Sequence, residues 1–188
     1  MKKILLTLAS LFLLYQSVGL VQLTTELSSG LVWWGDLLLG AAFCLFVTGV
    51  FAFAGFAWPT ERLLPATYYV IRRPARLKKW YRRLGVEGFR RMLLATFWRN
   101  PERRSSFYDG TRAGLRQMAR SARKAEFGHL WPFIILTVLA LIYATKGFWL
   151  LGATMLAINV VFNGYPILLQ RNHRRRLAVM ERLRERKG

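Results

Sequence analysis

The chain has 188 residues, 54% of them apolar, with 29 Lys and Arg against 9 Asp and Glu and a formal net charge of +20. A soluble nucleic-acid binder this basic would not commit so much of its length to long apolar runs. Nucleic acid is therefore excluded as the partner, and the combination points to an integral membrane protein with basic flanks. The single cysteine, Cys44, lies in an apolar run, which leaves no disulfide framework and no cysteine-rich metal site.

Lys2 and Lys3 precede the first apolar run, residues 4–23, which is long enough to span a bilayer. A cleaved signal peptide starts in the same way. Here the apolar stretch is long and no small-x-small cleavage site follows, so a retained anchor is expected. A short polar link, residues 24–30, leads to the second run, residues 31–58. Trp33 and Trp34 stand at one end and Trp58 at the other, the interfacial placement expected of a spanning helix. Asp36 lies near the outer end, where its carboxylate is expected to reach water.

Residues 59–128 carry 18 Lys and Arg. Leu84, Phe89, Met92, Leu93, Phe97 and Trp98 recur between the charges, which predicts short amphipathic helices on a membrane surface. Pro65, Pro74 and Pro101 divide the region. Arg112, Arg116, Arg120 and Arg123 make a basic stripe at helical spacing, predicting a helix over 110–128. The third apolar run is short, residues 130–144, with Pro132 expected in its first turn. Thr145-Lys146-Gly147 is a tight link to the fourth run, residues 148–169. A basic tail from Arg174 to Lys187 is expected to form a surface helix.

The fold class is thus all-α: a four-span integral membrane protein with amphipathic basic helices on the cytoplasmic surface. Its parts are two N-terminal spans (1–58), a basic cytoplasmic region (59–128), a C-terminal transmembrane hairpin (129–170) and a basic tail (171–188). With both termini cytoplasmic, every Lys and Arg except Lys146 falls on the inner side. The positive-inside bias therefore orients the chain as a multi-pass protein of the inner (plasma) membrane.

Two polar clusters interrupt this apolar pattern. Asn159, Asn163, Pro166 and Gln170 are spaced by four, three and four residues, so a helix sets them on one face. Glu126 and His129, three apart, precede the third run. Counting back from the turn at about 1.5 Å per residue places His129 level with Gly164, and Glu126 level with Ile167. The chemistry expected there is acid–base, with His129 as general base and Glu126 holding its tautomer. Asn163, Tyr165 or Gln170 would position substrate or donate to an oxyanion, with Asn159 in the same stripe. Arg171, Arg174 and Arg176 suit phosphates. The same residues have a plainer use: amides between helices hold them together, and Glu126 can pair with Arg123. His129, Glu126 and the distant His173 fall short of a metal-ligand set.

The segment Arg123-Lys124-Ala125-Glu126-Phe127-Gly128-His129, a hairpin, then Asn163-Gly164-Tyr165-Pro166 and Gln170-Arg171-Asn172-His173-Arg174-Arg175-Arg176 resembles the glycosyl-4,4'-diaponeurosporenoate acyltransferase family. The family pattern is Ala-Glu-x-x-His, then Asn, Pro and a Gln-Arg-x-x-Arg-x-Arg tail. The good match covers roughly the last third of the chain. Tyr68-Tyr69-Val70 through Lys79-Trp80 is similar more weakly. The chain departs from the pattern at Asn172-His173 and at Arg175. The resemblance implies acyl transfer from a thioester donor, such as an acyl-CoA, to a sugar hydroxyl of a carotenoid glycoside or similar lipid, with no bound cofactor and membrane lipids as surroundings. The alternative is a non-catalytic subunit that scaffolds a membrane assembly or binds anionic lipid through its basic layer.

Overall fold

The computed structural model describes residues 1–27, 31–96, 99 and 111–185, with backbone alone at 112 and 181–185. The described residues form helices and turns, with no strand among them. The helices are α1 (Lys2–Glu26), α2 (Trp33–Ala57), α3 (Pro74–Arg83), α4 (Val86–Ala95), α5 (Arg112–Thr145), α6 (Trp149–Asn159) and α7 (Tyr165–Glu185). A π-helical turn, Val160–Gly164, joins α6 to α7. Four helical segments are long and apolar enough to cross a membrane: Lys2–Glu26, Trp33–Ala57, Ala113–Thr145 and Trp149–Met180.

The chain divides into two compact units, residues 1–60 with 127–164, and residues 61–126 with 165–188. The first holds α1, α2, the apolar part of α5 and α6. Its core is built at helical spacing: Leu39, Phe43 and Val47 of α2, Leu136, Ala140 and Tyr143 of α5, and Leu151 and Met155 of α6. Around this core, α1 leaves Leu5, Leu8, Leu11 and Phe12 exposed, as a helix facing lipid does. Polar side chains tie α1 inward: Ser10 donates to the Val50 carbonyl at 2.9 Å, and the Thr24 and Tyr143 hydroxyls meet at 2.6 Å. The α5–α6 hairpin turns at Gly147, whose φ of 92° lies in the left-handed region that favours glycine.

Three sequence expectations change. The helix predicted for 110–128 and the third span are one continuous α5, with Pro132 inside it and fully buried. An interior proline costs a backbone hydrogen bond, but spanning helices tolerate it where neighbouring elements enclose the freed carbonyl. Thr24 belongs to α1 and not to a link. Asp36 is buried at the start of α2, where its Oδ1 accepts the Leu31 N–H at 3.1 Å, so it reaches backbone instead of water.

The second unit holds α3, α4, the first part of α5 and α7. Pro74 starts α3, and Gly85 (φ 64°) turns the chain into α4. Tyr81, Val86 and Leu169 form a small core with Leu93, Tyr165 and Leu168 packed against it. Part of the amphipathic pattern read over 84–93 is therefore spent on α7, while Leu84 and Met92 stay exposed. Phe97, Trp98 and Pro101 lie outside the described residues.

The hairpin arms approach closely at Gly152: a Cβ there would sit 2.6 Å from the Ala140 carbonyl oxygen. Because the obstacle is backbone, Gly152→Ala must push α6 away from α5. The expected cost is about 1–3 kcal/mol of stability, read as a lowered unfolding midpoint of the purified protein in detergent.

Candidate functional site

In the first unit, a row of side chains runs from backbone to imidazole. Asn159 Nδ2 donates to the Phe133 carbonyl at 2.9 Å and to Thr137 Oγ1 at 3.1 Å. Asn163 Nδ2 donates to Asn159 Oδ1 at 3.0 Å and to Thr48 Oγ1 at 2.9 Å. Asn163 Oδ1 then faces His129 Nδ1 at 3.0 Å. A backbone carbonyl only accepts, which fixes the sense of the whole row. Asn159 must turn its NH₂ to Phe133, so its oxygen meets Asn163. Asn163 must then offer its oxygen to His129. Through Nδ1 the imidazole meets that oxygen, and the Phe162 carbonyl is a further acceptor beside the ring. The ring is held by Asn163 and not by a carboxylate.

The π turn lies in this same stretch, and π turns inside helices recur at functional sites. Asn159 and Asn163 are fully buried, and both donors of each amide are used within the row. Neither is free to contact a substrate. Their work is to hold His129.

Glu126 has a different environment. It is 0% exposed in the second unit, and both oxygens are taken. Oε1 accepts from Tyr68 Oη and Arg171 Nε, each at 2.9 Å, and Oε2 accepts from Arg174 Nη2. Arg171 also donates to Tyr68 Oη at 2.9 Å, and Arg174 to the Tyr69 carbonyl at 2.6 Å. The guanidinium of Arg171 lies over the Tyr68 ring at 5.1 Å, and that of Arg174 over the Tyr69 ring at 4.9 Å. Arg123, proposed as the plain ion-pair partner of Glu126, stacks on Tyr69 at 5.2 Å instead. A carboxylate compensated by two arginines is a structural anchor, and its lone pairs are not offered to an imidazole.

Two tyrosines complete this centre. Burial pushes both phenols up, that of Tyr69 to about 12 with the negative charge of Glu126 adding to the effect. Both hydroxyls therefore keep their protons, and that of Tyr68 donates to Glu126. With one carboxylate facing two guanidiniums, the centre carries excess positive charge.

That charge opens onto a cleft of about 230 Å³, lined by Arg72, Arg73, Arg76, Arg171 and Arg174 with Tyr68, Leu77 and two other apolar residues. Among the described residues, no carboxylate lines it. Arg174 Nε is buried there without a hydrogen-bond partner. Of the three arginines expected to hold phosphates, Arg171 and Arg174 line this cleft. Arg176 is exposed and lies near Tyr81 and Glu87 instead. Tyr165 is spent on architecture, donating to the Leu84 carbonyl at 3.0 Å and packing against Phe89. Gln170 is half-buried with no side-chain hydrogen bond among the described residues. Sequence reasoning left out Tyr68, Tyr69, Arg72, Arg73 and Arg76 as site residues. The only signal for them was the weak likeness of the aromatic-basic stretch after residue 68.

Four helices long and apolar enough to span a membrane, a half-buried histidine held by an amide and an arginine-lined cleft define a helical membrane protein. A family model described as glycosyl-4,4'-diaponeurosporenoate acyltransferase (CrtO) matches residues 65–183, and the chain belongs to that family. The matched span takes in the tyrosine-arginine centre as well as the hairpin. Comparison with curated proteins and with solved structures found no match.

Removing the charge of Glu126 leaves Arg174 buried without its counter-ion. Glu126→Gln should cost about 3–5 kcal/mol in stability, visible as a large drop in the unfolding midpoint. Glu87→Gln, which breaks a partly exposed pair with Arg90, should leave that midpoint almost unchanged.

Proposed function

We propose that this protein is a membrane O-acyltransferase, moving an acyl group from a thioester donor to a hydroxyl of a glycosylated carotenoid or similar lipid. The observation that supports the reading is the row from the Phe133 carbonyl to His129, which holds the imidazole through Nδ1. Membership of a family named for this acyl transfer supports the substrate class. In the reaction, His129 Nε2 takes the proton of the acceptor hydroxyl as its oxygen attacks the thioester carbonyl. The tetrahedral intermediate collapses to the ester and expels the thiolate. The imidazolium then returns the proton to sulfur, leaving histidine and free thiol as they began.

The donor's phosphates suit the arginine cleft by their chemistry: five guanidiniums and, among the described residues, no opposing carboxylate and no partner for Arg174 Nε–H. Asn163 is a positioning residue in this scheme, and Gln170 keeps an amide for substrate.

Membranes holding the wild-type chain, given a carotenoid glycoside and an acyl-CoA, should yield a new acyl ester in lipid extracts read by mass spectrometry. His129→Ala should lower its rate by about 100-fold or more at an unchanged membrane level of protein. Full activity in that variant would remove His129 from the reaction. No ester from the wild type would favour the scaffold reading.

The same proposal places both termini and the basic layer in the cytoplasm of a plasma-membrane protein, with Lys146 on the far side. Alkaline phosphatase should be active when inserted at Lys146 and inactive when fused after Gly188. The reverse pattern would invert the topology.

A further inference from the structure

A second cleft, of about 500 Å³, lies in the second unit and takes no part in the reaction above. Arg62, Arg116, Arg120 and Arg123 line it, together with Glu61 and Tyr69. Two of its polar atoms are buried and unsatisfied: the Tyr69 hydroxyl and Glu61 Oε2. Tyr69 is only 7% exposed, and its hydroxyl finds no partner among the described residues. A buried polar atom without a partner costs about 1–3 kcal/mol, and such sites are generally waiting for a ligand or an ordered water.

The two orphans ask for opposite things. The Tyr69 phenol, held protonated by burial with a value pushed up to about 12, is a donor seeking an acceptor oxygen. Glu61 Oε2 is an acceptor seeking a hydroxyl. Four exposed guanidiniums around them ask for negative charge. A bare phosphate answers the arginines and the phenol but would be repelled by Glu61. A neutral sugar answers the two orphans and leaves the arginines unmatched. Only a ligand that carries an anion and a free hydroxyl together satisfies all three.

We propose that this cleft binds a glycerol phosphodiester, as presented by the headgroup of a phosphatidylglycerol-type lipid. The arginines hold the phosphate, Tyr69 donates to one of its oxygens, and a glycerol hydroxyl donates to Glu61. In sequence, the residues that line the cleft flank spanning segments. Glu61 and Arg62 follow closely on the end of α2 at Ala57, and Arg116, Arg120 and Arg123 precede the apolar part of α5. Basic residues beside spanning segments sit where anionic headgroups are.

The test uses the purified full chain in uncharged detergent, titrated with short-chain phosphatidylglycerol, phosphatidic acid, phosphatidylcholine and soluble glycerophosphoglycerol. Phosphatidylglycerol should bind saturably and about tenfold more tightly than phosphatidic acid, whose phosphomonoester lacks the glycerol hydroxyl and brings more negative charge against Glu61. Glu61→Gln should reduce that preference, and Tyr69→Phe should weaken both lipids. Arg120→Gln, an exposed change with little risk to folding, should weaken both as well. Equal binding of both anionic lipids with no effect of Glu61→Gln would reduce the cleft to a general basic surface and overturn the proposal. Glycerophosphoglycerol binding as tightly as the lipid would overturn the lipid source. Phosphatidylcholine binding as well as phosphatidylglycerol would overturn the need for a net anion.

Discussion

The two polar networks of this protein answer to one constraint: a hydrogen-bonding group taken out of water needs a partner, and here the chain supplies it. Glu126 is the strongest instance. Its buried carboxylate draws two arginines from α7 and the hydroxyl of Tyr68 onto itself, and these in turn fix the aromatic turn at residues 66–69. Remove the carboxylate and the guanidiniums have no reason to converge. The amide row beside His129 obeys the same rule with neutral groups, beginning at a carbonyl that cannot rotate.

The two networks use different chemistry. One orients an imidazole by hydrogen bonds from neutral groups. The other concentrates positive charge by placing two guanidiniums against a single carboxylate. Neutral orientation avoids the desolvation of a second buried charge beside the histidine.

The four spans, the hairpin turn at Gly147 and the level at which His129 meets the Asn163 region were legible in the sequence. Apolar length and helical rise dictate all three. The partner of Glu126 was not legible. A spacing of three made His129 look like its partner, whereas arginines forty-five and forty-eight positions away won because a fully buried carboxylate needs counter-charge more than orientation. Tyr165 and Asn159 looked free for substrate for a similar reason. The sequence shows a polar side chain but not the backbone carbonyl it answers, and Leu84 and Phe133 supply those carbonyls from elsewhere in the chain. The continuity of α5 through Pro132 was hidden because a proline at the head of an apolar run reads as a beginning.

Gly152 carries a consequence out of proportion to its size. It stands near the closed end of the α5–α6 hairpin, where the absence of a side chain lets one backbone rest against the other. His129 and Asn163 stand toward the open end, joined by a contact of 3.0 Å that has little room to lengthen before it ceases to be a hydrogen bond. A single methyl group near the turn would have to part the two backbones there, so the seating of the whole hairpin rests on a residue that offers no chemistry of its own.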